Sequence, residues 1–491
     1  MSKFFCPAGS PSGLPEIIGY LNGTSIQHLF SIKTFLGTFV SCMLAVASGL
    51  FCGLEGPMIH LGAILGCGLS QLQSDTLGIH LPFFTRFRNS ADKRSFITAG
   101  AGAGIASVFR APIGGLLFTL EEVSSFWDIR LAWQTFFCCL TATFTTDLLS
   151  SSLHGFVYRG HFGFFEAEKR ILFWVKNLLD MHVLAFIPAI LLGMLGGLLG
   201  ALFVSLNIKI NKLRMQFFNS IPKPSLSKTS KLLETVLILV EITNDVQSLL
   251  LIMLAVMVAK MVGDFFSASL YSSLLRLKCI PYLDVEPFVH HRRERLNLEL
   301  FSARDVMEPH VRVLHLRENI ASLAWLLAST SHGGFPVVGR PKPDHAQVFQ
   351  GTIKRLELCM LLENEHIFEP ETSNESFSFS HPLTYEKITV EKLPKPSRLA
   401  VLLNRYTTDP RYQQLFINLE PYINKSAMSV QAHFSLQRTY IIFRTLGLRH
   451  LTVVDLQNRV VGVITRKDLM PLPLEERLRL QLSPQSPDAG E

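Results

Sequence analysis

The chain is short of charge. Only 17% of its 491 residues are Asp, Glu, Lys or Arg, while 48% are hydrophobic. Soluble domains carry roughly 25% charged residues, so an ordinary soluble enzyme is a poor fit. Disorder is excluded for most of the length, because the net charge is only +7 and the apolar content is high. Cysteine is also sparse: there are eight, scattered and without a C-x-x-C pair. Most lie in or beside apolar stretches, as small buried hydrophobes do, which argues against a disulfide scaffold. There is no P-loop, no nucleophile–base pair and no metal-ligand spacing. A soluble nucleotide-dependent enzyme is therefore set aside, and no metal is expected. The opening MSKFFCPAGS has neither the basic start nor the apolar core of a secretory signal, and the chain is expected to begin in mid-structure.

What is present is a series of charge-free runs: Thr34 to Leu54, Gly56 to Ser74, Ser95 to Leu120 interrupted only by Arg110, Leu131 to Thr146, Met181 to Ile208 and Val246 to Ala259. A helix needs about 20 apolar residues to cross a bilayer. Two or three runs reach that length. The others are shorter and several are rich in Gly, which suggests tilted or half-spanning helices packed in a larger assembly. The loop from Lys209 to Lys231 holds six basic residues and no acid. Such loops stay cytosolic, and this one is expected to be solvated rather than to bind nucleic acid.

Past Pro281 the charges become frequent and mixed. Two stretches then look alike. ENIASLAWLLAST leads into GGFPVV and QVFQGTIKRLELCMLL; SLQRTYIIFRTLGL leads into RHLTVVD and NRVVGVITRKDLM. Each reads as amphipathic helix, strand, turn, strand, helix, an internal repeat that buries its apolar faces by pairing. The expected divisions are a membrane part over 1–280, a connector over 281–300, a first repeat over 301–363, a linker over 364–424, a second repeat over 425–480 and a tail over 481–491.

Three breaks in the apolar runs can carry chemistry. In GLEGPMIHLGAILG, Glu55 sits between two apolar segments, where an ionisable residue is costly and points to function. Pro57 favours the first turn of a helix, whose free N–H groups would face a carboxylate or a competing anion. An N-capping acid fits the same spacing. In FRAPIGGLLFTLEEVSSFW, Pro112 starts a helix and Glu121 and Glu122 end it; one of them can relay protons, or the helix end simply reaches water. In PSGLPEIIGYLNG, Ser12 and Gly13 precede another Pro-marked helix start. Hydroxyl and N–H groups there can hold an anion weakly enough to release it, although Ser-Gly-x-Pro alone is a turn.

Taken together, PSGLPEIIGYLNG, GLEGPMIHLGA, FRAPIGGLLFTLEEVSSFW, GMLGGLLGALFVSLN, VEITNDV, AKMVGDFFSASLY and GLRHLTVVD…VVGVITRKDL resemble the CLC family of chloride channels and proton-coupled chloride exchangers. The likeness is to its intracellular branch, endosomal-lysosomal or vacuolar. The resemblance implies a mainly α multi-pass membrane domain, a partial CLC fold, followed by an α/β cytosolic CBS-domain pair. It implies that Glu55 is the gating glutamate, that Glu122 is the internal proton glutamate of exchangers, and that Ser12 and Tyr271 face the central chloride. From the residues alone Tyr271 reads as an interfacial aromatic. It further implies that the CBS pair can bind ATP or another adenine nucleotide, with His332, Gly333 and Asp468 lining the cleft; Asp468 suits a ribose hydroxyl or a helix cap equally. The implied partners are chloride, protons, the lipid membrane, a second copy in a homodimer and an accessory membrane subunit.

The sequence also departs from the pattern. Leu54 stands where most relatives carry lysine, and Pro11 replaces a glycine beside Ser12. The family builds its pathway from two inverted repeats. Here the first is largely present, without the helices expected before Pro11. Of the second, LLETVLILV (Leu232 to Val240) runs straight into EITNDV (Glu241 to Val246), and no Gly-x-Phe-x-Pro motif occurs. Two expectations follow: an exchanger whose chain is seen incompletely, or a non-conducting regulatory or assembly subunit.

Overall fold

The computed structural model describes residues 13–24, 26, 28–49, 53–71, 73–74, 79–80, 87, 90–125, 127–157, 183–218, 238–239, 241–242, 249–267, 270–284, 287, 289–291, 294–340, 347–370 and 396–482. The chain divides into two compact units, Met1–Tyr282 and Leu283–Glu491.

The first unit is helical. Its main elements are α1 (Leu14–Leu21), α2 (Ile32–Ala47), α3 (Glu55–Gln71), α4 (Ser90–Phe109), α5 (Pro112–Phe118), α6 (Ile129–Val157), α7 (Phe186–Phe218), α8 (Leu249–Phe266) and α9 (Leu270–Leu277). Proline opens α5, where its missing N–H costs nothing. Between α4 and α5 the chain reverses through Arg110 at φ 52°, and the Arg110 Nε lies 3.4 Å from Asp147 Oδ1 on α6. That pair explains the one charge in an otherwise uncharged stretch: an ionised group in an apolar unit needs a partner.

The helices α3 and α4 touch backbone to backbone. A Cβ built on Gly62 would meet the carbonyl oxygen of Gly100, and one on Gly100 would meet that of Gly62. Small residues permit this approach. The core gathers Leu14, Ile17 and Ile18 of α1 with Ile59 and Ala63 of α3, Ile97 and Ile105 of α4, and Phe118 of α5. Among the described residues, Val183–Ile210 and Leu249–Phe266 are long and apolar enough to cross a membrane. Their outer faces, including Leu191, Leu202, Met253 and Met261, are exposed, as a lipid-facing surface requires.

The second unit repeats a small α/β motif. Its first half has β1 (Leu314–His315), β2 (Arg317–Asn319), α10 (Ile320–Ser329), β3 (Gly334–Gly339), β4 (Val348–Lys354) and α11 (Arg355–Glu363). After β5 (Glu369–Pro370) come α12 (Pro396–Thr408) and β6 (Leu415–Asn418), then the second half: β7 (Ser429–Gln431), α13 (Leu436–Thr445), β8 (His450–Val454), β9 (Val460–Thr465) and α14 (Pro471–Leu482). Each half has a three-stranded sheet, ordered β1-β3-β4 and β7-β8-β9. In both, the first pairing is parallel and the second antiparallel.

Among the described residues, parts of two stretches expected as connections are packed instead. Within 364–424, Leu403, Tyr406, Tyr412 and Ile417 join the core of the first half, and β6 pairs with β2. The Tyr406 hydroxyl donates to the Leu362 carbonyl at 2.8 Å. Within 281–300, Leu283, Val289 and Leu298 belong to the core of the second half. Polarity misled the assignment because these apolar residues are widely spaced and meet partners far away in sequence.

Candidate functional site

The amino-terminal end of α1 is built by Gly13, which sits at φ 77° and caps the helix with no side-chain hydrogen bond. Only glycine reaches that conformation without strain. The helix is fixed at both ends. Lys278 donates to the Glu16 carboxylate. Asn22 Nδ2 donates to Ser125 Oγ at 3.0 Å, and Thr24 Oγ1 to the Pro281 carbonyl at 2.6 Å. Ser12 itself lies outside the described residues. Tyr271, on α9, packs half-buried against the cluster that holds α1, so the structure brings the Tyr271 element and the start of α1 into one bundle.

Glu55 is the first residue of α3 and is exposed, as are Gly53 and Leu54 before it. A carboxylate at this place faces the positive helix end. Glu121 and Glu122 fall in a π-helical turn, Thr119–Val123, that continues α5. Such turns widen a helix and are frequent at functional sites; the amphipathic pattern gives no signal for one. Both residues are half-buried, and the Glu121 Oε2 is buried without a partner. Val123, closing the turn, is buried in the α1 cluster. Glu122 thus stands beside the bundle that contains α1 and Tyr271, while Glu55 is exposed at the start of α3.

The start of α5 carries a group that sequence reasoning missed. Glu241 accepts from the Ile113 N–H at 3.0 Å and from the Gly114 N–H at 2.7 Å. A carboxylate on two free amides at a helix start satisfies both dipole and donors. The signal was present, since Glu241 is an acid directly after the apolar run VLILV, but nothing in the spacing names its partner 128 positions away. His60 was missed as well. It lies within the charge-free run of α3 and is fully buried.

In the second unit, His332 and Gly333 are exposed in the turn before β3. The Gly333 carbonyl accepts from the Arg355 N–H at 3.0 Å, and a Cβ on Gly333 would come 3.0 Å from the His450 ring. Burial, followed by the charges of Arg449 and His332, holds the His450 imidazole below the usual histidine range. Asp468 lies in the turn after β9, whose Thr465 stands opposite His450 in the sheet, and is 8% exposed. Its Oδ2 accepts from the Thr465 N–H at 2.8 Å and the Thr465 hydroxyl at 2.6 Å, and its Oδ1 lies 2.9 Å from Arg477 Nη2. The carboxylate therefore caps a turn. The same device recurs in the first half, where Glu357 accepts from the Lys354 N–H at 2.9 Å. Among the described residues, no cluster of three or more His, Cys, Asp or Glu could hold a metal.

Comparison with known proteins agrees with this architecture. The voltage gated chloride channel family matches residues 1–228, and the CBS domain matches 419–474. The chain is 30% identical to Chloride channel protein C of Dictyostelium discoideum over 615 residues, covering 94% of this chain and 78% of that protein. It is 27% identical to the H(+)/Cl(-) exchange transporter 7 of Homo sapiens over 631 residues, covering 98% and 75%. Since the chain has only 491 residues, about 150 positions of the first alignment hold none of its residues. The fold is similar to a solved eukaryotic CLC transporter, with a TM-score of 0.59 at 16% identity over 96% of this chain and 87% of that one. With the chloride channel match ahead of the CBS match, and with a 30% identical relative covered over 78% of its length, the chain belongs to the CLC family of voltage-gated chloride channels.

Proposed function

We propose that the chain moves chloride across an intracellular membrane in exchange for protons. Glu55 acts as the gate, Glu122 as the internal proton carrier, and Ser12 and Tyr271 face the central anion. The observation that carries this reading is the glutamate pair in the π-helical turn after α5, packed beside the bundle of α1 and Tyr271. A carboxylate inside an apolar unit suits proton transfer, and a passive pore has no use for it. The exchange activity named for the human relative supports the same assignment. The endosomal-lysosomal or vacuolar membrane, a homodimer and an accessory membrane subunit complete the proposal.

The test is reconstitution of the full chain in liposomes under a chloride gradient. Chloride-driven proton flux is the expected result. Glu122→Ala should abolish proton movement and leave chloride binding intact; proton flux that survives the substitution would remove Glu122 from the role.

A second reading has its own observation. The alignment positions without residues here, together with the direct passage from Val240 to Glu241, favour a regulatory or assembly subunit whose CBS pair binds an adenine nucleotide through His332, Gly333 and Asp468. Silent liposomes combined with ATP binding to the full chain would select it. Flat calorimetry with ATP would remove the nucleotide from either reading. Oδ2 of Asp468 already accepts two hydrogen bonds and Oδ1 pairs with Arg477, so a ribose hydroxyl would use the second lone pair of Oδ1.

A further inference from the structure

The π-helical turn that holds Glu121 and Glu122 ends where the Ser124 N–H meets the Thr119 carbonyl at 2.8 Å. Ser124 itself is extended, at φ −83° and ψ 132°, so the helix stops there. A chain released from a helix needs another hold if the acids just before it are to keep one place. Val123 supplies an apolar one, since it is buried in the α1 cluster. Ser125 supplies a polar one. Its Oγ accepts from Asn22 Nδ2 at 3.0 Å, across 103 positions of sequence.

Both partners are buried: Asn22 is 0% exposed and Ser125 is 9% exposed. Asn22 is also the residue that closes α1, with its own N–H on the Ile18 carbonyl at 3.0 Å. The bond therefore runs from the carboxyl-terminal end of α1 to the end of the π-helical turn. Burial gives it weight. Removing one partner of a buried hydrogen bond leaves the other polar group short of a bond away from water, which costs more than the bond itself contributes. The link joins the helix assigned to the anion with the turn assigned to the proton.

We propose that Asn22 and Ser125 are positioning residues of the exchange reaction, holding the turn of Glu122 in one place against α1. The inference rests on the reading of Glu122 as the proton carrier. The part played by the pair is geometric, and neither side chain carries the proton. Proton transfer needs hydrogen-bond reach, directly or through one water, and a misplacement of about 1 Å can slow a positioned reaction about 100-fold. The chloride contacts are assigned to Ser12 and Tyr271, outside the π-helical turn. Loosening the turn therefore slows protons more than chloride. A bond that served folding alone would lower both fluxes alike.

Chloride and proton fluxes of the full chain, measured together in liposomes, test this through their ratio. Ser125→Ala removes the acceptor and leaves the residues of α1 unaltered. It should retain chloride flux while the proton flux carried per chloride falls. Ser125→Thr keeps the hydroxyl and should restore the ratio. In hydrogen–deuterium exchange the 119–124 amides of Ser125→Ala should exchange about tenfold faster, as loss of a buried hydrogen bond predicts. Should Ser125→Ala fail to fold, Asn22→Ala removes the same bond from the α1 side and is read in the same way. An unchanged ratio, or a proportional fall of both fluxes, would overturn the inference. A wild type that moves chloride without protons would instead refute Glu122 as the proton carrier, and the inference with it.

Discussion

Replacing Glu241 tests how the start of α5 is held. Its two oxygens accept from Ile113 and Gly114 at 3.0 and 2.7 Å. Hydrogen bonds to a charged group contribute about 1.5–3 kcal/mol each. Glu241 is only half-buried, so the lower figure applies, and Glu241→Ala should cost about 3 kcal/mol of local stability. Glu241→Gln keeps one acceptor but turns an NH2 toward the second amide, and should lose about half as much, about 1.5 kcal/mol. Amide exchange reports local opening directly. At 1.36 kcal/mol per factor of ten, the 112–118 peptide should exchange about 100-fold faster in Glu241→Ala and about tenfold faster in Glu241→Gln. The measurement is hydrogen–deuterium exchange on the full chain in detergent or nanodiscs. Unchanged exchange at Ile113 and Gly114 in Glu241→Ala would refute the claim that this carboxylate fixes the helix leading to Glu121 and Glu122.

Other outcomes follow from the same geometry. Gly100→Val would force side-chain atoms into the Gly62 carbonyl, so loss of a monodisperse protein on size exclusion is expected; a stable variant would mean that α3 and α4 are not in backbone contact. Asp468→Ala removes the acceptor of two Thr465 hydrogen bonds and the partner of Arg477. It should weaken the 460–482 region by about 1–3 kcal/mol, visible as faster exchange there, with Asp468→Asn affected less. For His450, burial lowers the folded-state proton affinity while the unfolded ring titrates near its ordinary value of about 6.5. The unfolded chain therefore binds the proton more readily, and the local stability present above about pH 6.5 should decline as pH falls below it. Exchange of the 450–454 amides against pH should show this decline, and His450→Phe should flatten it.

Much of the fold is legible in the residues. Each charge-free run carries a helix, because uncharged segments of that length have few other ways to satisfy their backbone inside a membrane. Pro112 marks a helix start for a local steric reason. The short apolar runs in GGFPVV and RHLTVVD mark β3 and β8, which are buried at nearly every position, as strands covered on both faces are. The short strands β1 and β7 were not legible. At two and three residues they hold too little pattern, and they exist because β3 and β8 offer edges for them to pair with.

The site divides in the same way. Sequence by itself determined that acids stand at breaks in apolar runs, at Glu55 and at Glu121–Glu122, since charge against an apolar background is a local contrast. It also determined the family, through motifs whose residues are neighbours in the chain. Only tertiary structure decided that Glu241 holds the start of α5, that Arg110 meets Asp147, that the buried His60 ring packs against Gly13, and that residues 396–424 complete the core of the first CBS half. These contacts join positions tens to more than a hundred residues apart. A hydrogen bond is specified by where two atoms lie in space, and nothing along the chain records that distance until the helices have packed.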